Sequence, residues 1–124
     1  MEQQTEFIPY EQALELRQLG FDNLPLYYYN SDGHLTPFIN FVNNVKPNNQ
    51  SLIDGVCYAP LYQQAFRWFR EKHNLHSSIV YQYDDNTPRY YYTIDNLIAV
   101  YGFETYEEAE LACLKKLIEI VKNK

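Results

Sequence analysis

Three features of this sequence predict a small α+β fold. Helical apolar spacing, at i, i+3, i+4 and i+7, is confined to residues 9–19, 59–75 and 105–124. Between these stretches lie tyrosine-rich runs of strand character, joined across turn signals. The one linker-like stretch is 43–55, so residues 1–124 read as a single domain. The expected order is α-β-β-α-β-β-(β)-α, an antiparallel sheet of hairpins packed against about three helices.

Residues 1–7 read as a frayed tail. Pro9 opens the first helix, since its fixed φ suits a first turn. Tyr10, Ala13, Leu14 and Arg17 share a face, and Gly20-Phe21 forms a Schellman stop. Leu26–Tyr29 is the first strand. Asn30-Ser31-Asp32-Gly33 is a turn, with Asp-Gly read as a type I′ pair. Residues 34–42 return, and Pro37 confines that strand to an edge or a break. The asparagine-rich stretch 43–55 is an internal loop, with Leu52-Ile53 as a short pairing. It separates an N-terminal helix–hairpin part from a C-terminal helix–strands–helix part.

The helix over 59–75 is the expected spine. Leu61, Tyr62, Ala65, Phe66, Trp68 and Phe69 form one wide apolar face. Burying each large aromatic there is worth roughly 1.5–3 kcal/mol. Pro60 suits its first turn, and Asn74 stops it. Ser77–Tyr83 alternates like a half-buried strand, 84–88 turns, and Arg89–Ile94 returns. Leu97–Tyr101 gives a third strand, broken by Gly102-Phe103. Thr105-Tyr106-Glu107-Glu108 is a capping box, with Thr105 taking the Glu108 N–H and Glu108 reaching back. The last helix carries two apolar stripes. One runs through Ala109, Ala112, Cys113, Leu117, Ile120 and Val121. The other, Leu111, Leu114 and Ile118, needs a cover: the first helix, or a second copy across a two-fold axis. Both hairpins follow a helix with a polar stop, the pattern of a degenerate repeat whose side chains do not align.

Composition narrows the function. The net charge of −6 opposes nucleic-acid backbones and gives no attraction to anionic membranes. Residues 1–59 carry two basic and seven acidic side chains, while 60–124 carry eight and nine. The longest apolar runs are too short for a bilayer, and Met1–Glu6 is acidic rather than leader-like. Cys57 and Cys113 form no CxxC motif and read as small buried hydrophobes in a reducing cytoplasm.

No motif brings catalytic groups together. His73 and His76 lack further ligands at zinc spacing, and His73 suits the negative end of a helix. Asp84, Asp85 and Asp95 are turn residues first. Nucleophile-elbow, phosphate-loop, dinucleotide and zinc-protease signatures are missing. No catalytic residue, metal ligand or cofactor is therefore expected. The C-terminal order of helix, three strands and helix is that of double-stranded-RNA-binding domains. Those domains hold phosphates with basic residues at the start of the last helix, whereas this turn holds Glu107, Glu108 and Glu110.

Three blocks have familiar wording: Ile8-Pro9-Tyr10-Glu11 through Leu19-Gly20-Phe21-Asp22, Ala59 through His73, and Thr105 through Leu114. They cover about half of the chain and resemble a family of short uncharacterised proteins encoded by phages and mobile elements of gut Bacteroides and relatives. The resemblance implies an accessory role in a bacterial host cytoplasm. It brings no catalytic residue or cofactor.

The leading expectation is a non-enzymatic protein acting by protein–protein contact. Thirteen tyrosines favour it, since tyrosine is enriched at interfaces. Tyr27, Tyr29, Tyr81, Tyr83, Tyr90 and Tyr92 are the candidate surface. The alternative is a nucleic-acid-associated regulator, with Arg67, Arg70, Lys72 and Arg89 as a basic patch and tyrosines stacking on bases. The acidic N-terminal half argues against that alternative. A small enzyme is the third reading.

Overall fold

A computed structural model describes residues 6–37, 48–84 and 87–124. The chain is α+β, with the order α-β-β-β-α-β-β-β-α. It forms two compact units, Met1–Gln64 and Ala65–Lys124. Each has a three-stranded antiparallel sheet.

The first unit contains α1 (Tyr10–Leu19), β1 (Tyr27–Tyr29), β2 (Leu35–Pro37), a 3₁₀ turn (Asn49–Ser51) and β3 (Cys57–Tyr58). Pro9 caps α1 in an extended conformation. The stop is the expected one: the Phe21 N–H donates to the Leu16 carbonyl at 3.0 Å, and Phe21 is buried. Strand order is β2-β1-β3, so Pro37 does lie on an edge strand, where its missing N–H breaks no ladder. Residues 38–42 of the expected return strand, 43–47 of the loop and 1–5 of the tail lie outside the described residues. Glu6 and Phe7, expected in that tail, are instead held. The Ile8 N–H donates to the Pro60 carbonyl, the Tyr62 N–H donates to the Glu6 carbonyl, and Phe7 bridges Leu61.

The first hairpin turn is not a type I′ pair. The Gly33 N–H donates to the Asn30 carbonyl at 2.8 Å, and Gly33 alone in the turn takes a positive φ. This is a three-residue loop, a type I turn closed by a left-handed glycine. The Asn30 side chain selects it by accepting the N–H groups of Asp32 and His34, each at 3.0 Å. A Cβ at position 33 would also meet the Tyr10 ring at 3.0 Å.

The third strand of this sheet, β3, was not expected. Residues 48–55, which precede it, are tied to α1. The Tyr10 hydroxyl donates to the Gly55 carbonyl at 2.6 Å. The Arg17 guanidinium donates to the carbonyls of Ile53 (2.9 Å), Val56 (2.8 Å) and Leu52. Asn49 is fully buried: its Nδ2 donates to the Phe21 carbonyl (2.7 Å) and its Oδ1 accepts the Tyr58 N–H (2.9 Å). Leu52 and Ile53 form no strand.

α2 (Tyr62–His73) starts after Pro60, two residues later than expected. The Leu61 N–H, freed at that start, donates to the Gln64 side chain at 2.8 Å. Ala65, Trp68 and Phe69 are buried. Asn74 takes the left-handed conformation that ends the helix.

The second unit continues with β4 (Ser77–Asp84), β5 (Thr87–Ile94), β6 (Ile98–Phe103) and α3 (Tyr106–Lys122), in the sheet order β4-β5-β6. Residues 85–86 of the expected turn lie outside the described residues. Asp95 and Asn96, both left-handed, turn β5 into β6. Gly102 does not break β6. It sits in it as a bulge with φ +100°, and the register steps from Tyr91↔Tyr101 to Tyr90↔Phe103. α3 packs on this sheet with Ala109, Cys113, Leu114, Leu117 and Ile118 buried. Thr105 Oγ1 accepts the Glu108 N–H at 3.1 Å. The return arm of the cap goes one residue earlier than expected, to the Glu104 N–H. The two sheets differ in strand order, so the chain is not a repeat in topology.

Candidate interaction surface

Alternation along β5 decides which tyrosines reach water. Tyr92 and Ile94 are buried, so Tyr90, two residues before Tyr92, shares their inward face. Tyr91 and Thr93 take the other face. Register then places Val80 of β4 and Tyr101 of β6 beside Tyr91. The Tyr91 and Tyr101 rings stack at 4.5 Å with 25° between planes. Tyr101 is 60% exposed, and Leu97 at the adjoining turn is 87% exposed. A second aromatic row runs along the other side at the sheet end. Tyr81 meets Tyr90 at 5.4 Å, and Tyr90 meets Tyr106 at 6.0 Å. Tyr81 and Tyr83 are 55% and 63% exposed.

The six expected surface tyrosines therefore divide. Tyr81 and Tyr83 are exposed. Tyr27 and Tyr90 are half-buried, Tyr27 against Phe7 at 5.1 Å. Tyr29 and Tyr92 are core residues, and they correct that part of the expectation. The Tyr29 hydroxyl donates to the Ile8 carbonyl at 2.6 Å, and burial followed by the neighbouring Cys57 pushes its pKa up to about 12. Tyr92 stacks on Phe103 at 5.9 Å. Tyr91, Tyr101 and Tyr106 were missed, although Ile94 signals the inward face of β5 from sequence alone.

Three of the expected basic residues, Arg67, Arg70 and Lys72, stand on α2, and the fourth, Arg89, stands on β5. Arg67 is exposed but bonded to Glu71 at 3.0 Å, a pair of little energetic weight. Arg70 and Lys72 are exposed on α2, and Arg89 is exposed on the Tyr91 face of β5. The first turn of α3 presents Glu107 and Glu108 to solvent.

The stripe Leu111, Leu114 and Ile118 is largely covered. Leu114 and Ile118 are buried within one copy of the chain, and Leu111 is half-buried.

Burial pushes the Cys57 and Cys113 thiols up to about 12, so neither is a thiolate near neutrality. His73 stands edge-on to Trp68 at 4.9 Å. Burial, then Lys124 and Lys72, lowers its pKa, so the expected cation at this helix end is disfavoured. Asp95 serves its turn, accepting the His76 N–H at 2.8 Å. A cleft of about 480 Å³ is lined by Leu14, Arg17, Gln18, Gln50, Asp54 and Gly55. Its guanidinium is already held by carbonyls, leaving Asp54 as the other ionisable group in its wall. Among the described residues, no three His, Cys, Asp or Glu side chains gather to hold a metal. No helix among them is long and apolar enough to cross a membrane.

Among the described residues, Glu110 on α3 is the strongly perturbed carboxyl. Burial, then the charge of Glu107, pushes its pKa up to about 7 from 4.5. The folded protein thus holds this proton more tightly than the unfolded chain does. The penalty is absent below about pH 4.5, grows towards 7 and is complete above it. Glu110→Gln should stabilise the fold by about 1 kcal/mol at pH 8, allowing for solvent screening, and leave it unchanged at pH 4. Urea melts at the two pH values check this.

No family model matches the chain, and neither a curated protein nor a solved structure is similar to it at a meaningful level.

Proposed function

We propose that the chain is a non-enzymatic accessory protein of a phage or mobile element, acting in the host cytoplasm through protein–protein contact. The contact surface is the β4–β5–β6 sheet. The observation that carries this reading is the group of exposed Tyr101, Leu97, Tyr81 and Tyr83 along that sheet and its adjoining turn, with half-buried Tyr91 stacked on Tyr101. Exposed rings held in pairs are partly ordered before binding, which lowers the entropy lost on association. The resemblance of the blocks 8–22, 59–73 and 105–114 to short proteins of gut Bacteroides phages and mobile elements is the support for the setting. The acidic start of α3 favours a protein over a phosphate backbone.

Affinity capture from a gut Bacteroides lysate tests the reading. A discrete protein should be retained by the wild type and reduced more than tenfold by Tyr91→Ser/Tyr101→Asp. Arg70→Ala, on α2, should retain it. Identical capture by the wild type and the double variant would overturn the assignment.

A further inference from the structure

Sheet edges expose unpaired N–H and C=O groups, and folds guard them with proline, bulges, charge, brevity or a cover. Three of the four edges here carry such a guard. β2 ends on Pro37. β3 is two residues long and buried. β6 carries the Gly102 bulge. β4 has neither proline, bulge nor brevity, and its one charge, Asp84, stands at its last residue. It is eight residues long, and its register with β5 runs without a shift from Ser77↔Ile94 to Asp84↔Thr87. Residues 77–83 contain no charge and no proline, and none of them is buried. Among the described residues, no strand pairs with its outer edge.

We propose that β4 is a self-pairing edge through which two copies of this chain join antiparallel, about a two-fold axis at Tyr81. The product is a continuous six-stranded sheet. This deepens the protein-contact reading and rests on it, with a second copy as the partner. Charge permits that partner. Identical strands bring no like charges together when residues 77–83 are neutral. Residues 65–124 as a whole nearly balance, with eight basic and nine acidic side chains, against two and seven in residues 1–64. Register supports it too. An axis at Tyr81 sets Tyr81 against its copy and Ile79 against Tyr83. All three residues occupy one face of the strand, so the joint gains an unbroken apolar row. Tyr81 already stands against Tyr90, which holds it in place. A joint of one strand per copy is at the small end of specific interfaces, so it forms and parts with concentration.

Light scattering on the full chain, from micromolar to millimolar protein, is the test. The wild-type mass should rise from one chain to two. Tyr81→Lys and Tyr81→Glu should each remain at one chain, because the axis opposes like charges. Far-UV circular dichroism should stay native, since Tyr81 is more than half exposed. An equimolar mixture of the two variants should return to two chains. Tyr101→Lys, on β6, should dimerise as the wild type does. A wild-type mass of one chain at millimolar protein, or a two-chain mass for Tyr81→Lys alone, would overturn the proposal. Lysate capture that depends on Tyr91 and Tyr101 would then still uphold the wider contact reading. Loss of that capture with the dimer intact would overturn the foreign-partner reading and uphold the pairing.

Discussion

Replacing Leu114 with glutamate should abolish the cooperative fold of the second unit at pH 7. Leu114 is fully buried on α3, one residue beyond the sheet-facing Cys113. A carboxylate there must be desolvated without a partner or take up a proton, and either costs several kcal/mol. Domains of this size are stable by only about 5–15 kcal/mol, so that cost is a large share of the whole. The near-UV circular dichroism spectrum should collapse, with partial recovery near pH 4, where the carboxyl is neutral. Lys115→Glu, one position along and exposed, should melt within about 0.5 kcal/mol of the wild type. If Leu114 instead sealed a two-fold interface, Leu114→Glu would give a well-folded single chain by light scattering.

Asn49→Ala should destabilise the first unit by about 2–4 kcal/mol. The side chain is fully buried and makes two bonds of opposite polarity, one to the Phe21 carbonyl and one from the Tyr58 N–H. Truncation leaves the Tyr58 N–H buried without its acceptor. Each such orphaned group costs about 1–3 kcal/mol, and the lost side chain also leaves a void. The Phe21 carbonyl keeps a second donor in Gln50 Nε2 at 3.1 Å, which bounds the loss. A chain of this length shifts by about 3–6 °C per kcal/mol, so the melting temperature should fall by about 6–24 °C. Asn48→Ala, at the neighbouring exposed position, should fall far less: its Oδ1 caps the 3₁₀ turn by accepting the Gln50 N–H in water-accessible surroundings.

Features that depend on local chemistry could be read from the chain. The Gly20-Phe21 stop, the Asn74 stop, the Thr105 cap and the edge position of Pro37 are each set by one or two residues and their own backbone. Features that depend on tertiary partners could not. Cys57-Tyr58 is too short to show strand periodicity, and it becomes β3 because Tyr28 and Tyr29 pair with it. Asn49 looks like any other asparagine of a polar loop, yet its position between Phe21 and Tyr58 makes it a core residue. Gly102 reads as a breaker until the β5 register shows one extra residue opposite the Tyr90–Tyr91 step. The surface was half legible. Tyr81 and Tyr83 were identified, whereas Tyr90-Tyr91-Tyr92 is ambiguous by itself because a one-residue change of phase exchanges the faces. Ile94 resolves the phase, and it places Tyr91 rather than Tyr92 outside.

The most direct test of the β4–β6 sheet as the contact surface is a photoreactive residue placed singly at positions 81, 101, 70 and 115 of the full chain, irradiated in a gut Bacteroides lysate. Adducts to protein should form from positions 81 and 101, with little from 70 on α2 or 115 on α3. Adducts concentrated at position 70 and made to nucleic acid would contradict the assignment and restore the basic residues of α2 as the working surface.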